Sequence, residues 1–287
     1  MDSKGRPMYL ATNSSHDTDC DAVSFPVSSI GERSLPSSDL QTKLPFSFRD
    51  LTQKLLTSPV SETKYLISRS VADLVSGWAQ VYMQPDQHAD PALGDGYWVR
   101  TLYLDTPGAD IYHRRGVGRS RKFRIRGYGS SQELWLEMKW KRNGKVRKRR
   151  TLIHQNQLPL VITNASQEHE WFSSRVDRYQ LQPACQITYR RQAYVCRTSQ
   201  GVYRLTLDRE AFSQPHDGWK VPHEAGNCRI LNAENAILEL KYQGDFPLFF
   251  RSLVELIPQV PASYSKYRRA ISTLMDQSMG DPACPTG

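Results

Sequence analysis

Short runs in which polar and apolar residues alternate recur along the chain, and an alternation of period two places successive side chains on opposite faces of a β-strand. Eight such runs stand out, over 62–68, 97–105, 121–128, 133–140, 146–153, 184–196, 202–209 and 236–242. Asn143-Gly144 between the fourth and fifth predicts a two-residue hairpin turn, and Gly201 a second turn between the sixth and seventh. Helical spacing of apolar residues appears over 70–82, 167–177, 246–257 and 263–277, and over 46–56, where Pro59 ends it. Residues 1–45, rich in Ser, Asp, Thr and Pro, read as a disordered tail. The folded domain is expected over 46–279, with a frayed end at 280–287. Hairpin-joined strands with a few helices predict an α+β fold: an antiparallel eight-stranded β-barrel with helices packed on its outside.

The polar face of these strands narrows the function. Arg124 and Arg126 share one face while Phe123 and Ile125 share the other. Glu137 and Lys139 oppose Leu136 and Met138, and Glu239 and Lys241 oppose Leu238 and Leu240. Glu62 sits two residues from Lys64, and Lys148 two from Arg150. Arg204 shares parity with Thr206 and Asp208, and Arg191 lies on the polar side of its strand. Any one such strand is an ordinary half-exposed one. Across seven strands the polar positions are nearly all Arg, Lys or Glu, and the opposite face is apolar enough to be covered. A barrel with an apolar exterior and a charged interior accounts for both. So many cations facing one another repel unless a polyanion or a metal–phosphate neutralises them. The planar arginine fork suits phosphate oxygens, lysine adds point charge, and the carboxylates suit Mg2+ or Mn2+.

Bulk properties change this picture little. With 287 residues the chain can bury a large core, and its net charge of +9 favours an anionic partner. No apolar run reaches the roughly eighteen residues of a membrane span, and no signal-peptide core follows Met1, so a cytoplasmic location is expected. Five scattered cysteines without a CxxC pair fit reduced thiols. The seven histidines lack HExxH spacing, and neither a P-loop nor a GxSxG elbow is present. Gly116-Val117-Gly118 reads as a mobile loop. The basic run from Lys139 to Arg150 admits a nucleic-acid patch, but the Asn-Gly turn at its centre favours a hairpin with half its cations turned inward.

Eight segments in order resemble the VTC (vacuolar transporter chaperone) catalytic domain of the triphosphate tunnel metalloenzymes. They are Thr63-Lys64-Tyr65-Leu66-Ile67, Leu102-Tyr103-Leu104-Asp105-Thr106, Phe123-Arg124-Ile125-Arg126-Gly127-Tyr128-Gly129, Leu136-Glu137-Met138-Lys139, Arg191-Gln192-Ala193-Tyr194, Arg204-Leu205-Thr206-Leu207-Asp208, Leu238-Glu239-Leu240-Lys241 and Tyr264-Ser265-Lys266-Tyr267. The resemblance implies a polyphosphate polymerase that adds the γ-phosphoryl group of ATP to a polyphosphate or pyrophosphate end, using a divalent metal, often Mn2+. It implies Arg124, Arg126, Lys139, Arg191 and Arg204 as catalytic phosphate-holding groups. Lys64, Arg115, Lys148 and Lys266 are implied as further phosphate ligands, and Glu239, assisted by Glu137, as the metal ligand; Lys241 joins the phosphate ligands because it shares Glu239's face. Two positions depart from the pattern. Ser263 stands where the family's catalytic form often has a lysine, and Val60 where the wider superfamily's ExExK has its first glutamate. The second departure disfavours simple triphosphate hydrolysis. A tri- or polyphosphatase, or a non-catalytic polyphosphate or inositol-phosphate binding module, remain the alternatives, and a membrane partner is compatible.

Overall fold

A computed structural model describes residues 60–142, 145–163, 167–199, 201–216 and 218–279, without the side chains of 141, 142, 145, 146 and 279. The expected N-terminal tail, the helix over 46–56, the C-terminal end and the Asn143-Gly144 turn lie outside these residues. In chain order the elements are β1 (Val60–Ser68), α1 (Arg69–Tyr82), β2 (Gln84–Pro85), β3 (Gly96–Asp105), α2 (Asp110–His113), β4 (Arg121–Tyr128), β5 (Glu133–Arg142) and β6 (Lys145–His154). They continue with α3 (Leu158–Ile162), α4 (Glu170–Tyr179), β7 (Gln182–Thr198), β8 (Gly201–Pro215), β9 (Cys228–Arg229), β10 (Asn235–Gln243), α5 (Arg251–Glu255) and α6 (Lys266–Met279).

All eight long strands join one antiparallel sheet in the order β1-β10-β8-β7-β3-β4-β5-β6, with β2 beside β7 and β9 beside β8. Among the described residues the two ends, β1 and β6, form no ladder with each other, so the sheet is curled but not closed by backbone hydrogen bonds. It is closed instead by side chains. Lys139 on β5, the strand next to the β6 edge, reaches Glu62 on β1 at 3.4 Å across the interior.

Strand parity decides which face goes where. Tyr65, Ile67, Leu238 and Leu240 point outward and are buried with Ala72, Val75 and Ala79 of α1 and with Phe250 and Leu253. Phe123, Ile125, Leu134, Leu136 and Met138 are buried in a second outer core with Val161 of α3 and Phe172 and Val176 of α4. Each such side chain contributes roughly 1.5–3 kcal/mol by leaving water. That burial holds the apolar face outward beneath the helices and leaves the opposite face to the interior. α1 begins at Ser68, whose side chain accepts from the Val71 amide at 3.3 Å.

Three expectations shift. The helix expected over 246–257 breaks into a short 3-10 turn at Leu248–Phe250 and the five-residue α5, because Pro247 can only precede the helical turn. β8 continues to Pro215 instead of ending at 209, because the β7–β8 register shifts between Thr188 and Arg190 and pairing resumes beyond the shift. The segment expected as a mobile loop is a 3-10 turn at Gly116–Arg119, so closely packed that a Cβ at Gly118 would lie 2.0 Å from the Asp110 carbonyl oxygen.

Candidate phosphate-binding tunnel

The interior face carries charge from seven strands. Lys64 and Glu62 come from β1, Glu239 and Lys241 from β10, Arg204 and Asp208 from β8, Arg191 from β7, Arg124 and Arg126 from β4, Glu137 and Lys139 from β5, and Lys148 from β6. Cross-strand register puts Lys64 opposite Glu239, Glu62 opposite Lys241, Arg124 opposite Glu137 and Arg191 opposite Asp208. Two linked cavities follow, of about 1020 Å3 and 510 Å3. Glu62, Arg124, Arg126, Lys139, Arg191 and Lys241 line both.

The charges sort into clusters, each built on a carboxylate. Glu62 and Glu239 share two lysines: Lys64 lies 2.7 Å from Glu62 and 3.0 Å from Glu239, while Lys241 pairs with Glu239 and stands 3.8 Å from Glu62. Glu137, fully buried, receives Arg124 Nε at 2.5 Å, Arg126 Nη1 at 3.8 Å and the Lys148 ammonium. Asp208, also fully buried, accepts a two-pronged bond from Arg191 at 2.6 and 2.8 Å and a third from Lys266 at 2.5 Å. The Tyr189 ring underlies both cations, 5.3 Å from the Arg191 guanidinium and 4.6 Å from Lys266 Nζ. Arg204 pairs with Asp86 at 2.5 Å. With Lys139, which reaches Glu62 at 3.4 Å, these contacts set nine cations against five carboxylates, a surplus of four. Lys122 and Arg150 line the same cavities.

The titrating groups register that surplus. Burial pushes the Tyr103 phenol up, but Arg124, Arg126, Lys266 and Lys122 outweigh it and leave the pKa below its ordinary value. Burial lowers Lys148, and Arg124 and Arg126 deepen the effect against Glu137, so that it falls to about 7. Burial raises the Glu137 carboxyl, yet Arg124, Arg126 and Lys148 hold it well below the carboxylate range. Glu239 is likewise held low, by Lys241 and Lys64 against its burial. The carboxylates stay ionised and the interior stays net positive.

Nine of the ten expected cations face this space. Arg115 does not: its guanidinium turns to Asp110 at 2.8 Å and to the Gly108 carbonyl, and Arg114 borders the smaller cavity instead. The chain enters the left-handed region at Arg114 (φ 56), which separates the directions of these two neighbours. Glu137 and Glu239 share no ion-pair partner; the carboxylate beside Glu239 is Glu62. Asp86, Asp208, Lys122 and Arg114 were not anticipated as site residues. Asp208 was within reach by its parity with Arg204, whereas Asp86 lies just past a two-residue strand and has no periodic signal. Of the basic hairpin, Lys148 and Arg150 line the tunnel, Arg147 borders its larger cavity and Arg149 lies 4.6 Å over the Trp171 ring outside.

Lys266 is placed by a structural relay. Asp105, at the end of β3, accepts from the Thr106, Ile111 and Tyr112 amides at 2.7, 2.8 and 3.0 Å, and from the Tyr267 hydroxyl at 2.5 Å. The Tyr267 ring stacks on Tyr103, centroids 5.2 Å apart. The first turn of α6 is thereby pinned, and Lys266 beside it is aimed at Asp208.

Among the described residues no group of three His, Cys, Asp or Glu side chains forms a metal cage. A hard divalent ion bound to a nucleotide needs only one or two carboxylates, with phosphate oxygens and water completing its shell. Glu62 and Glu239, both facing Lys64 and Lys241, supply such a pair of oxygen donors, and the donor set fits.

A curled antiparallel sheet around a cation-rich interior defines a tunnel-type domain. The chain belongs to the VTC domain family, whose model matches residues 60–275. No curated protein matches it. Among solved structures it is similar to a candidate adenylate cyclase of Bacillus halodurans (15% identity, 72% of this chain and 95% of that one, TM-score 0.46). It is also similar to a candidate adenylyl cyclase of Hippeastrum described as having a dominant triphosphatase activity (17% identity, 75% and 95%, TM-score 0.43). A third is protein PH1819 of Pyrococcus horikoshii (12% identity, 76% and 99%, TM-score 0.37). No helix among the described residues is long and apolar enough to cross a membrane.

Proposed function

We propose that the protein is a polyphosphate polymerase that transfers the γ-phosphoryl group of ATP to the end of a polyphosphate chain. The observation that carries this reading is the surplus of cations over carboxylates along two linked cavities. It suits a ligand that is longer than one triphosphate and charged along its length. In the proposed reaction a terminal phosphate oxygen attacks the γ-phosphorus. The bond to the β,γ-bridging oxygen breaks, ADP leaves with the bonding electrons, and the polymer is one phosphate longer.

Such transfers ask for alignment and charge neutralisation, and no protein nucleophile. Arg124, Arg126 and Arg191, which line both cavities, sit where the two phosphate chains would meet. Their forks would hold the reacting phosphoryl oxygens. Lys139 and Lys241, shared by both cavities, would hold phosphates on either side. Lys148 and Arg204 serve the larger cavity, and Lys64 and Lys266 the smaller. Glu137 and Asp208 keep these cations in fixed directions before any ligand arrives. Mn2+ or Mg2+ would be held by Glu239 and Glu62, and would supply neutralisation of charge on phosphate oxygens.

Purified protein incubated with ATP and Mn2+ is expected to form acid-labile polymer and ADP, and Arg124→Ala or Glu239→Gln to abolish it. Orthophosphate without polymer would establish a tri- or polyphosphatase on this scaffold instead. Tight polyphosphate binding without ATP turnover would establish a binding module.

A further inference from the structure

On the outer side of the sheet, away from the tunnel, lies a cavity of about 450 Å3 bordered by Arg69 of α1, Arg190 of β7, Arg209 of β8 and Arg229 of β9. The same two strands build both sites. Arg191 and Asp208 pair inside the tunnel, while their chain neighbours Arg190 and Arg209, direct partners in the β7–β8 register, point outward. The register shift beside Arg190 and the left-handed backbone at Glu210 (φ 50) mark a local distortion of the ladder at this spot.

Two arginines directly opposite each other repel and weaken a sheet unless something neutralises them. Among the described residues only two carboxylates border the cavity. Asp73 lies 2.8 Å from Arg209 and Glu210 3.3 Å from Arg190, with side chains 61% and 44% exposed. Ion pairs that open to water are weak and readily exchanged. Arg229 lies 4.5 Å over the Phe212 ring, which leaves its charge unneutralised. In addition, Arg190 is held in place by donating to the Leu93 carbonyl as well as to Glu210, which fixes its guanidinium beside the cavity. Four guanidinium groups, two weakly held carboxylates and a cavity large enough for a small ligand occur together.

We propose that this cavity is a second anion site, separate from the tunnel, that takes a compact ligand with clustered phosphate groups. The guanidinium forks would replace their exposed carboxylate partners with phosphate oxygens, and Arg229 would supply a cation that is not already paired. The ligand's phosphates can belong to a short linear phosphate chain or to a multiply phosphorylated small molecule.

The test is calorimetric titration of the full chain with tripolyphosphate and, separately, with myo-inositol hexakisphosphate. The chains compared are the wild type, a tunnel variant (Arg124→Ala with Arg126→Ala) and an outer variant (Arg209→Gln with Arg229→Gln). The tunnel variant is expected to retain one binding event with at least one probe. In the outer variant that event is expected to weaken by about tenfold or more, as loss of charge-assisted hydrogen bonds dictates. Retention of the tunnel-side event shows that the outer variant is folded. Asp73→Asn, which removes a competing carboxylate from an exposed helix position, is expected to tighten the outer event by about two- to fivefold. The proposal is overturned if the tunnel variant, shown to be folded by a cooperative thermal transition, binds neither probe, or if the outer variant binds both as the wild type does. It is equally overturned if Asp73→Asn weakens the outer event.

Discussion

The Glu137 cluster offers a direct measure of how the tunnel is held. Glu137→Gln keeps the size of the side chain and removes one charge from a group with 1% exposure. Its partners stay: Arg124 at 2.5 Å, Arg126 at 3.8 Å and Lys148, with Arg126 itself only 5% exposed. At an effective dielectric constant near 20, one pair about 4 Å apart is worth roughly 4 kcal/mol, offset by the solvation that the carboxylate no longer forfeits. Breaking a buried ion pair by removing one partner costs about 3–5 kcal/mol, because the remaining charges are left uncompensated. For a domain of this size that corresponds to a melting temperature lowered by roughly 6–20 °C. In the variant Arg124 and Arg126, freed of their carboxylate, are open to phosphate oxygens, while Lys148 loses the partner that favours its ammonium and releases its proton more readily, so tripolyphosphate is expected to raise the melting temperature of the variant more than that of the wild type. Thermal denaturation of both proteins with and without tripolyphosphate measures each quantity. A variant that melts within about 2 °C of wild type would refute the idea that Glu137 is the counter-ion organising this wall. So would a variant that gains no more from the ligand than wild type does.

Asp208 gives an expected pH dependence. Burial raises its carboxyl, but Arg191 and Lys266 hold it well below the roughly 3.9 of an unfolded chain, so the unfolded state takes up the proton first. Its stabilisation is therefore complete above about pH 5 and is lost as pH falls toward the folded pKa. Urea unfolding between pH 7 and pH 3 should show a flatter acid limb for Asp208→Asn, and an unchanged slope would count against the pairing. Arg100, fully buried on the outward face of β3, donates to the carbonyls of Gly129, Val221 and Ser131 at 3.1, 2.9 and 2.8 Å. Arg100→Met should cost about 3 kcal/mol through the acceptors left unpaired, read by urea denaturation, with tripolyphosphate affinity unaltered. Ser263 is exposed just before α6. Ser263→Lys adds a cation at the position where the family often has one, and should tighten polyphosphate binding by up to about fivefold in a titration at low salt. An unaltered affinity would show that this position does not meet the polymer.

The eight long strands were legible because each is amphipathic with period two, and a covered apolar face makes that alternation obligatory. Phe123-Arg124-Ile125-Arg126 can be satisfied only by a strand with a wet, charged side and a dry one. The same parity assigned eight of the ten expected cations to the interior, since β-register turns every second residue to one face, whereas Lys266, at the start of α6, was implied by the family resemblance alone. What alternation cannot convey is direction outside regular strands. Arg115 and Arg114 are equivalent as sequence, and a single left-handed residue sends the first to Asp110 and leaves the second at the tunnel mouth. Asp86 became a partner of Arg204 through a contact between residues far apart in the chain. The neighbour of Glu239 proved to be Glu62 because β1 pairs with β10, a pairing between the two ends of the described chain that no local pattern encodes. Likewise, the sequence predicted a barrel, whereas tertiary structure left the ladder between β1 and β6 unformed and linked β1 to β5, next to the far edge, through Glu62 and Lys139. Local chemistry thus determined which residues are strand and which face is charged. Long-range pairing alone decided which charges meet, because that depends on where the sheet curls back on itself.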